Sequence, residues 1–339
     1  MNKAVLLANL KPSHTLLTPH YLAPAICTAA NNANNHLVIV LFSQLFASDG
    51  VSHTTSWDDV QRLLTYVYVQ ATKTAQDKGN MLMNIDVLLK GLDDVLSDEI
   101  SQDTDVVYRV SGGNRTTLGP VPILTAFPDI IAARLPESIL TITQTYIDLI
   151  VSLPDPDLPT PPSTADQSPS TFPVVAVGGT FDHLHAGHKI LLSMGAWIAN
   201  TKLIVGVTDT SLLSSKAYAA YLESIDVRIA NVRYFLSLFK PGITYDIVPI
   251  NDVYGPTGWD PNVQALVVSH ETLKGAEAIA THRASKSFPP LRTFVIDVIS
   301  QTSEKLDHED VELMRQTKMG STFIREWIAK QDKEKKNEA

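Results

Sequence analysis

From Val174 onward, short, mostly apolar runs alternate with amphipathic stretches, and this alternation leaves few folds open to the chain. Val174-Val175-Ala176-Val177, Lys202–Val207, Ala265–Ser269 and Thr293–Val298 are too short for buried helices. They read as strands, and Val174–Val177 as a buried one. Tyr245–Ile250 is a further strand, with Pro249 marking its end. Between them the spacing predicts helices over Ala186–Ala199, Asp226–Phe239 and Gly275–Ala284, and a last one starting near Ser321. Ile225, Ile229, Val232, Leu236 and Phe239 form one apolar stripe on the second of these. Strands alternating with helices imply a Rossmann-like, doubly wound parallel sheet, which binds ligands beyond the carboxyl ends of its strands.

The first half reads as a second α/β domain. His36–Phe42 is a buried strand, and Met1–Leu7 reads better as a first strand than as a signal peptide. Trp57 to about Lys78 is a helix, with Val60, Leu63, Leu64, Val67 and Ala71 on its apolar face and Ser56 as its expected N-cap. Met83–Leu89 is another strand, and Pro136-Glu137-Ser138 precedes an expected helix through Leu149. Gly112-Gly113 reads as a turn. Pro, Ser, Thr and Asp dominate residues 153–172, which read as an extended linker with little apolar surface to bury. The expected division is therefore 1–152, a first α/β domain; 153–172, the linker; 173–330, a second α/β domain; and 331–339, a charged, frayed tail.

Charge and cysteine content narrow the setting. A net charge of −9 over 339 residues argues against a broad nucleic-acid footprint, although a few cations can still gather in one cleft. The one cysteine, Cys27, excludes an internal disulfide and reads as a small buried apolar residue. No run approaches the ~20 apolar residues that span a bilayer. Asn114-Arg115-Thr116 is a glycosylation sequon only on paper, and a cytoplasmic protein without membrane insertion is expected.

The chemistry concentrates in Gly178-Gly179-Thr180-Phe181-Asp182-His183-Leu184-His185-Ala186-Gly187-His188-Lys189, where the strand from Val174 meets the next helix. Glycines let backbone approach a ligand closely, and a helix start offers free amides to phosphate. Three residues apart, His185 and His188 share one helix face, and Thr180 can donate to a phosphate oxygen. A second helix start at Ser321-Thr322 has Arg325 one turn on, again suited to phosphate.

Here the sequence resembles the nucleotidyltransferase superfamily. His185-Ala186-Gly187-His188 matches its His-x-Gly-His signature. Met319-Gly320-Ser321-Thr322-Phe323-Ile324-Arg325 matches its second, Ile-Ser-Ser-Thr-x-x-Arg, apart from Met319 and Gly320. Val207-Thr208-Asp209 through Lys216, Asp252–Gly258 and Val267–Thr272 are similar in order and spacing to the eukaryotic-type phosphopantetheine adenylyltransferases. No Walker A pattern follows residue 325.

The resemblance implies adenylyl transfer from ATP to 4′-phosphopantetheine, giving dephospho-coenzyme A and pyrophosphate, a step of coenzyme A biosynthesis. It implies His188, His185 and Lys216 as catalytic groups. The nucleotide would lie against Gly178, Gly179, Thr180, Phe181, Ser269, Glu271, Thr272, Ser321, Thr322 and Arg325, and the acceptor's pantetheine arm against Asp252 and Tyr254. Mg²⁺ would arrive on the ATP phosphates without a dedicated protein site. Association with other coenzyme A enzymes, or self-association, is compatible with this reading. The alternatives are a superfamily member that uses CTP or takes nicotinamide mononucleotide or glycerol phosphate, a non-catalytic nucleotide sensor, and a metal hydrolase using His183, His185 and His188. Tyr254 and Trp259 are as compatible with loop packing as with substrate contact, and His282 and His308 read as surface residues.

Overall fold

A computed structural model describes residues 2–10, 19–47, 51–111, 135–148, 169–296 and 320–338. The chain divides into two compact units, Met1–Asp59 with Tyr66–Ser170, and Val60–Thr65 with Thr171–Ala339. Each is built on five parallel strands. The first contains β1 (Lys3–Asn9), α1 (Ala23–Asn32), β2 (His36–Phe42), α2 (Trp57–Asp77), β3 (Asn84–Lys90), β4 (Val106–Ser111), the short α3 (Glu137–Leu140) and β5 (Thr143–Asp148). Its sheet runs β3-β2-β1-β4-β5. In β1 and β2, Val5, Leu6, Leu7, Leu37, Ile39 and Val40 have no exposed surface.

The second unit contains β6 (Phe172–Gly179), α4 (Ala186–Ile198), β7 (Ala199–Thr208), α5 (Ile225–Phe239), β8 (Thr244–Ile250), β9 (Ala265–Ser269), α6 (Leu273–Ser285), β10 (Arg292–Ile296) and α7 (Ser321–Glu338). Its sheet runs β10-β9-β6-β7-β8. The chain winds outward from β6 in one direction and then the other, so the crevice of a doubly wound sheet opens at the carboxyl ends of β6 and β9.

Counted within each unit, the strand orders are the same: third, second, first, fourth, fifth. The units also share a helix-end device. Lys78, just past α2, donates to the carbonyls of Ala30, Asn31 and Ala33 at the end of α1. Lys240, just past α5, donates to those of Ala196, Trp197 and Ala199 at the end of α4, at 2.7–3.4 Å. In both, an ammonium takes the orphan carbonyls and the negative end of the dipole. Counting back equally from the clamped Ala33 and Ala199 reaches Leu22 in one unit and His188 in the other, and then Pro19 and His185. The first unit thus repeats the winding without the histidines.

Several expectations are corrected. The helix expected to run to Leu149 ends at Leu140, and β5 follows beside β4. Ile142, Thr143, Thr145, Tyr146 and Ile147 favour a pleated surface, and a strand edge was there to pair with. Ser56 precedes α2 without capping it; its hydroxyl donates to the carbonyls of Ser52 and His53. Cys27 is half-buried, 3.4 Å from the Thr74 hydroxyl. The charged tail continues α7 to Glu338, helped by good helix formers and the Glu326–Lys330 pair at 2.8 Å. α1 and β4 went unread in the sequence. The linker over 153–168, Gly112-Gly113, the Asn114 sequon, Leu149, Asp297-Val298, His308 and Met319 lie outside the described residues.

Candidate active site

All strands of the second sheet are parallel, so the segments leaving β6, β7, β8 and β9 emerge at one edge. The segment after β6 is the most constrained. Phe181 (φ 49°) and His183 (φ 45°) are left-handed, although neither is glycine. Such residues cost about 1–3 kcal/mol each and persist where neighbours over-determine them. Gly178 and Gly179 are not in this turn; both are the last residues of β6. Gly179 matters instead for close approach: a Cβ there would lie 3.0 Å from the Phe181 ring.

Buried groups hold the strained turn. Asp182 has no exposed surface; one carboxylate oxygen accepts the Glu223 amide at 2.9 Å and the other accepts from Arg325 at 2.5 Å. Glu223 in turn accepts the His183 amide at 2.7 Å, and the His183 ring bonds the Tyr221 carbonyl at 2.8 Å. That engagement ties the His183 ring to Tyr221 and speaks against a shared metal with His185 and His188. Among the described residues no group of three or more His, Cys, Asp or Glu side chains is gathered to hold a metal.

His185 is the N-cap residue of α4, and His188 follows one turn later. Their rings stack at 3.8 Å with planes 22° apart, and His188 rests against Phe181 at 5.3 Å. The Nδ1 atom of each is shut off from solvent without a hydrogen-bond partner. Burial pushes the His185 imidazole down to about 3, with Lys189 and His183 adding repulsion. Burial and then His185 hold His188 well below its usual range. Both rings are therefore neutral near pH 7, and offer a phosphate directional hydrogen bonds rather than charge.

A pH dependence follows. Both folded-state values lie below the unfolded value near 6.5, so the unfolded chain takes up protons first as pH falls. The His185 contribution is whole above about pH 6.5 and is lost as pH drops toward 3, by up to about 1.4 kcal/mol per pH unit, and His188 acts in the same direction. Urea midpoints at pH 7 and pH 5 should therefore differ more in the wild-type chain than in His185→Asn. Equal differences would contradict buried neutral imidazoles.

The second signature meets the first. α7 begins at Ser321, whose hydroxyl donates to the Asp182 carbonyl at 2.8 Å. Arg325 is 2% exposed: it donates to the Asp182 carboxylate, to the Ala217 carbonyl at 3.0 Å and to the Thr322 hydroxyl at 3.2 Å. Arg325 was expected to grip phosphate; its guanidinium instead joins three segments, the turn after β6, the loop carrying Lys216 and the start of α7. Phe181, expected against the nucleotide, is fully buried and supports His188. Thr322 and Lys216 are exposed, while Thr180 and Ser321 are half-buried.

At the end of β9, Ser269 and Thr272 bond each other in a capping box, and Glu271 is exposed. Asp252 organises its own turn, accepting the amides of Tyr254 at 2.8 Å and Gly255 at 2.7 Å. Tyr254 is half-buried and stacks on His282 at 4.1 Å. His282 is thus a packing residue rather than a surface one, and also bonds the Gly258 carbonyl at 3.2 Å. Trp259, in the same loop, is 65% exposed. Asp182, Glu223 and Arg228 were missed as site residues; Asp182 stood inside the signature run, but the other two carried no sequence signal that separates a buried charge from a solvated one.

A doubly wound sheet with paired imidazoles opening the helix after its central strand defines a nucleotidyltransferase of the Rossmann-like type. The Cytidylyltransferase-like family model matches residues 176–327. The phosphopantetheine adenylyltransferase of Saccharomyces cerevisiae is 44% identical over 133 residues, 39% of this chain and 44% of that protein. An uncharacterised Schizosaccharomyces pombe protein is 41% identical over 157 residues, 46% of this chain and 48% of that one. The phosphopantetheine adenylyltransferase of Pyrobaculum aerophilum is 37% identical over 129 residues, 38% of this chain and 81% of that protein. The matched region thus spans less than half the length of the two fungal relatives and about four-fifths of the archaeal one. The chain belongs to the phosphopantetheine adenylyltransferase family.

Proposed function

We propose that this protein transfers the adenylyl group of ATP to 4′-phosphopantetheine, releasing pyrophosphate and forming dephospho-coenzyme A. The observation that carries the reading is the junction of both signature segments at Asp182, which ties the turn between β6 and α4 to the start of α7. An oxygen of the acceptor phosphate attacks the α-phosphorus of ATP while the bond to the bridging oxygen of the leaving pyrophosphate breaks. The acceptor is already an anion, so no strong general base is required; positioning and charge stabilisation dominate.

His188 holds the transferring α-phosphate and His185 the triphosphate. Thr180 donates to the acceptor or α-phosphate, and Lys216 reaches between the two substrates from its exposed loop. Ser321 and Thr322, with the amides opening α7, hold the departing pyrophosphate. Arg325 serves this grip from behind, by fixing the start of α7 against Asp182. Ser269, Glu271 and Thr272 border the nucleotide, and Asp252 and Tyr254 the pantetheine arm. Nucleotidyltransferases of this kind generally use a divalent metal with ATP. Here Mg²⁺ would be bound chiefly by the nucleotide phosphates.

In this reading residues 173–330 are catalytic and 1–152 accessory, and the chain works in the cytoplasm; no helix among the described residues is long and apolar enough to cross a membrane. The full chain, incubated with ATP, Mg²⁺ and 4′-phosphopantetheine, is expected to release pyrophosphate and dephospho-coenzyme A in equal amounts. Parallel reactions with CTP, or with nicotinamide mononucleotide as acceptor, are expected to be much slower. Preference for either would overturn the assignment.

A further inference from the structure

Arg228, in the first turn of α5, has no exposed surface, yet among the described residues no carboxylate bonds it directly. Burying a guanidinium costs several kcal/mol unless its donors are satisfied. Its donors go to the ends of two neighbouring strands. Nη1 donates to the Thr180 carbonyl just beyond β6 and to the Thr208 carbonyl at the end of β7, both at 2.8 Å. Nη2 donates to the Thr210 hydroxyl at 3.2 Å, and Nε to the Glu223 carbonyl at 3.2 Å. Asp182, Glu223 and Asp209 surround it with negative charge against the cost of burial. Thr180 opens the strained turn that leads to His185 and His188; Thr210 opens the turn that leads to Lys216. One planar fork therefore sets the spacing between the segment that carries the imidazoles and the segment that carries the lysine.

We infer that Arg228 is a positioning residue for adenylyl transfer, locking the phosphate-binding turn after β6 to the lysine-bearing loop after β7 through the carbonyls of Thr180 and Thr208 and the hydroxyl of Thr210. The role rests on the proposed reaction, and deepens it. Lysine keeps the charge but ends in one compact ammonium, so it cannot replace the fork's four bonds together, to Thr180, Thr208, Thr210 and Glu223. A displacement of about 1 Å at a reacting group can cost about 10²-fold in rate.

The test uses the full chain as wild type, Arg228→Lys and Thr210→Val, with folding followed by circular dichroism and thermal melts. In Arg228→Lys, kcat is expected to fall about 10²-fold while KM for ATP stays within about threefold, since the binding groups remain and only their alignment is lost. Thr210→Val removes one acceptor and leaves the guanidinium in place; its kcat is expected to fall about tenfold or less, with the melt nearly unchanged. Wild-type kcat in both folded variants would overturn the inference, as would a rise in KM for ATP that accounts for the whole loss. A readout independent of turnover separates the two failures. The imidazole NMR resonances of His185 and His188 are expected to shift in Arg228→Lys, because the turn before α4 relaxes. If the wild-type chain failed to adenylylate phosphopantetheine while those resonances shifted, the reaction would be wrong and the positioning right. Unshifted resonances would refute the positioning in either case.

Discussion

In a folded His188→Ala chain, turnover is expected to fall by at least about 10²–10³-fold, the usual cost of removing one preorganised hydrogen-bond donor from a transition state. The ring is held by stacking on His185 at 3.8 Å and by Phe181 at 5.3 Å, so the wild-type enzyme loses little freedom in aligning it. Because burial keeps it unprotonated near pH 7, its contribution is directional bonding, and no decline in kcat from its own titration is expected between about pH 6 and 8. His188→Asn, which keeps a donor in a similar place, is expected to retain more activity than His188→Ala. Steady-state kinetics on variants with wild-type circular dichroism measure both. Near-normal turnover in folded His188→Ala would remove this residue from the mechanism.

The second large effect concerns the Asp182–Arg325 pair, where the two signature segments meet. Both partners are almost wholly buried, at 0% and 2% exposure. Removing one leaves the other charge buried and uncompensated, a loss of about 3–5 kcal/mol. Against a total stability of about 5–15 kcal/mol, that is a large share. Arg325→Met and Asp182→Asn are therefore each expected to lower the urea midpoint sharply. The double variant, with no charge left to strand, is expected to recover much of the loss. If each single variant stayed within about 1 kcal/mol of wild type, the pair would not be the seam described here. Activity adds a second signature. Any variant that stays folded is expected to lose turnover, since the start of α7 and the Lys216 loop are both anchored through Arg325.

The two signatures were legible because their chemistry is local. His-x-Gly-His at a strand-to-helix junction places two imidazoles on one face whatever else the protein does, and doubly covered strands announce themselves by lacking polar alternation. Residues 143–148 were misread for the converse reason: a short β-branched stretch takes its conformation from the partner it finds, and β4, itself unread, was that partner. Asp252 and Ser269 were legible as loop residues at strand ends, but the turn and capping box they build came only from the coordinates.

What the sequence determined by itself was the class of fold in each half and the pair of imidazoles at the start of α4, because each depends on spacing along a few consecutive residues. Only the tertiary structure decided what Arg325, Asp182 and Arg228 bond. A charged side chain reads the same in sequence whether it faces water or is buried among carbonyls, and the contacts that settle the matter join positions as far apart as Asp182 and Arg325. The same holds for the repeated winding of the two units. Strand order and the matching lysine clamps at Lys78 and Lys240 belong to the packing of elements on one another, and the two halves share them without sharing the residues of the active site.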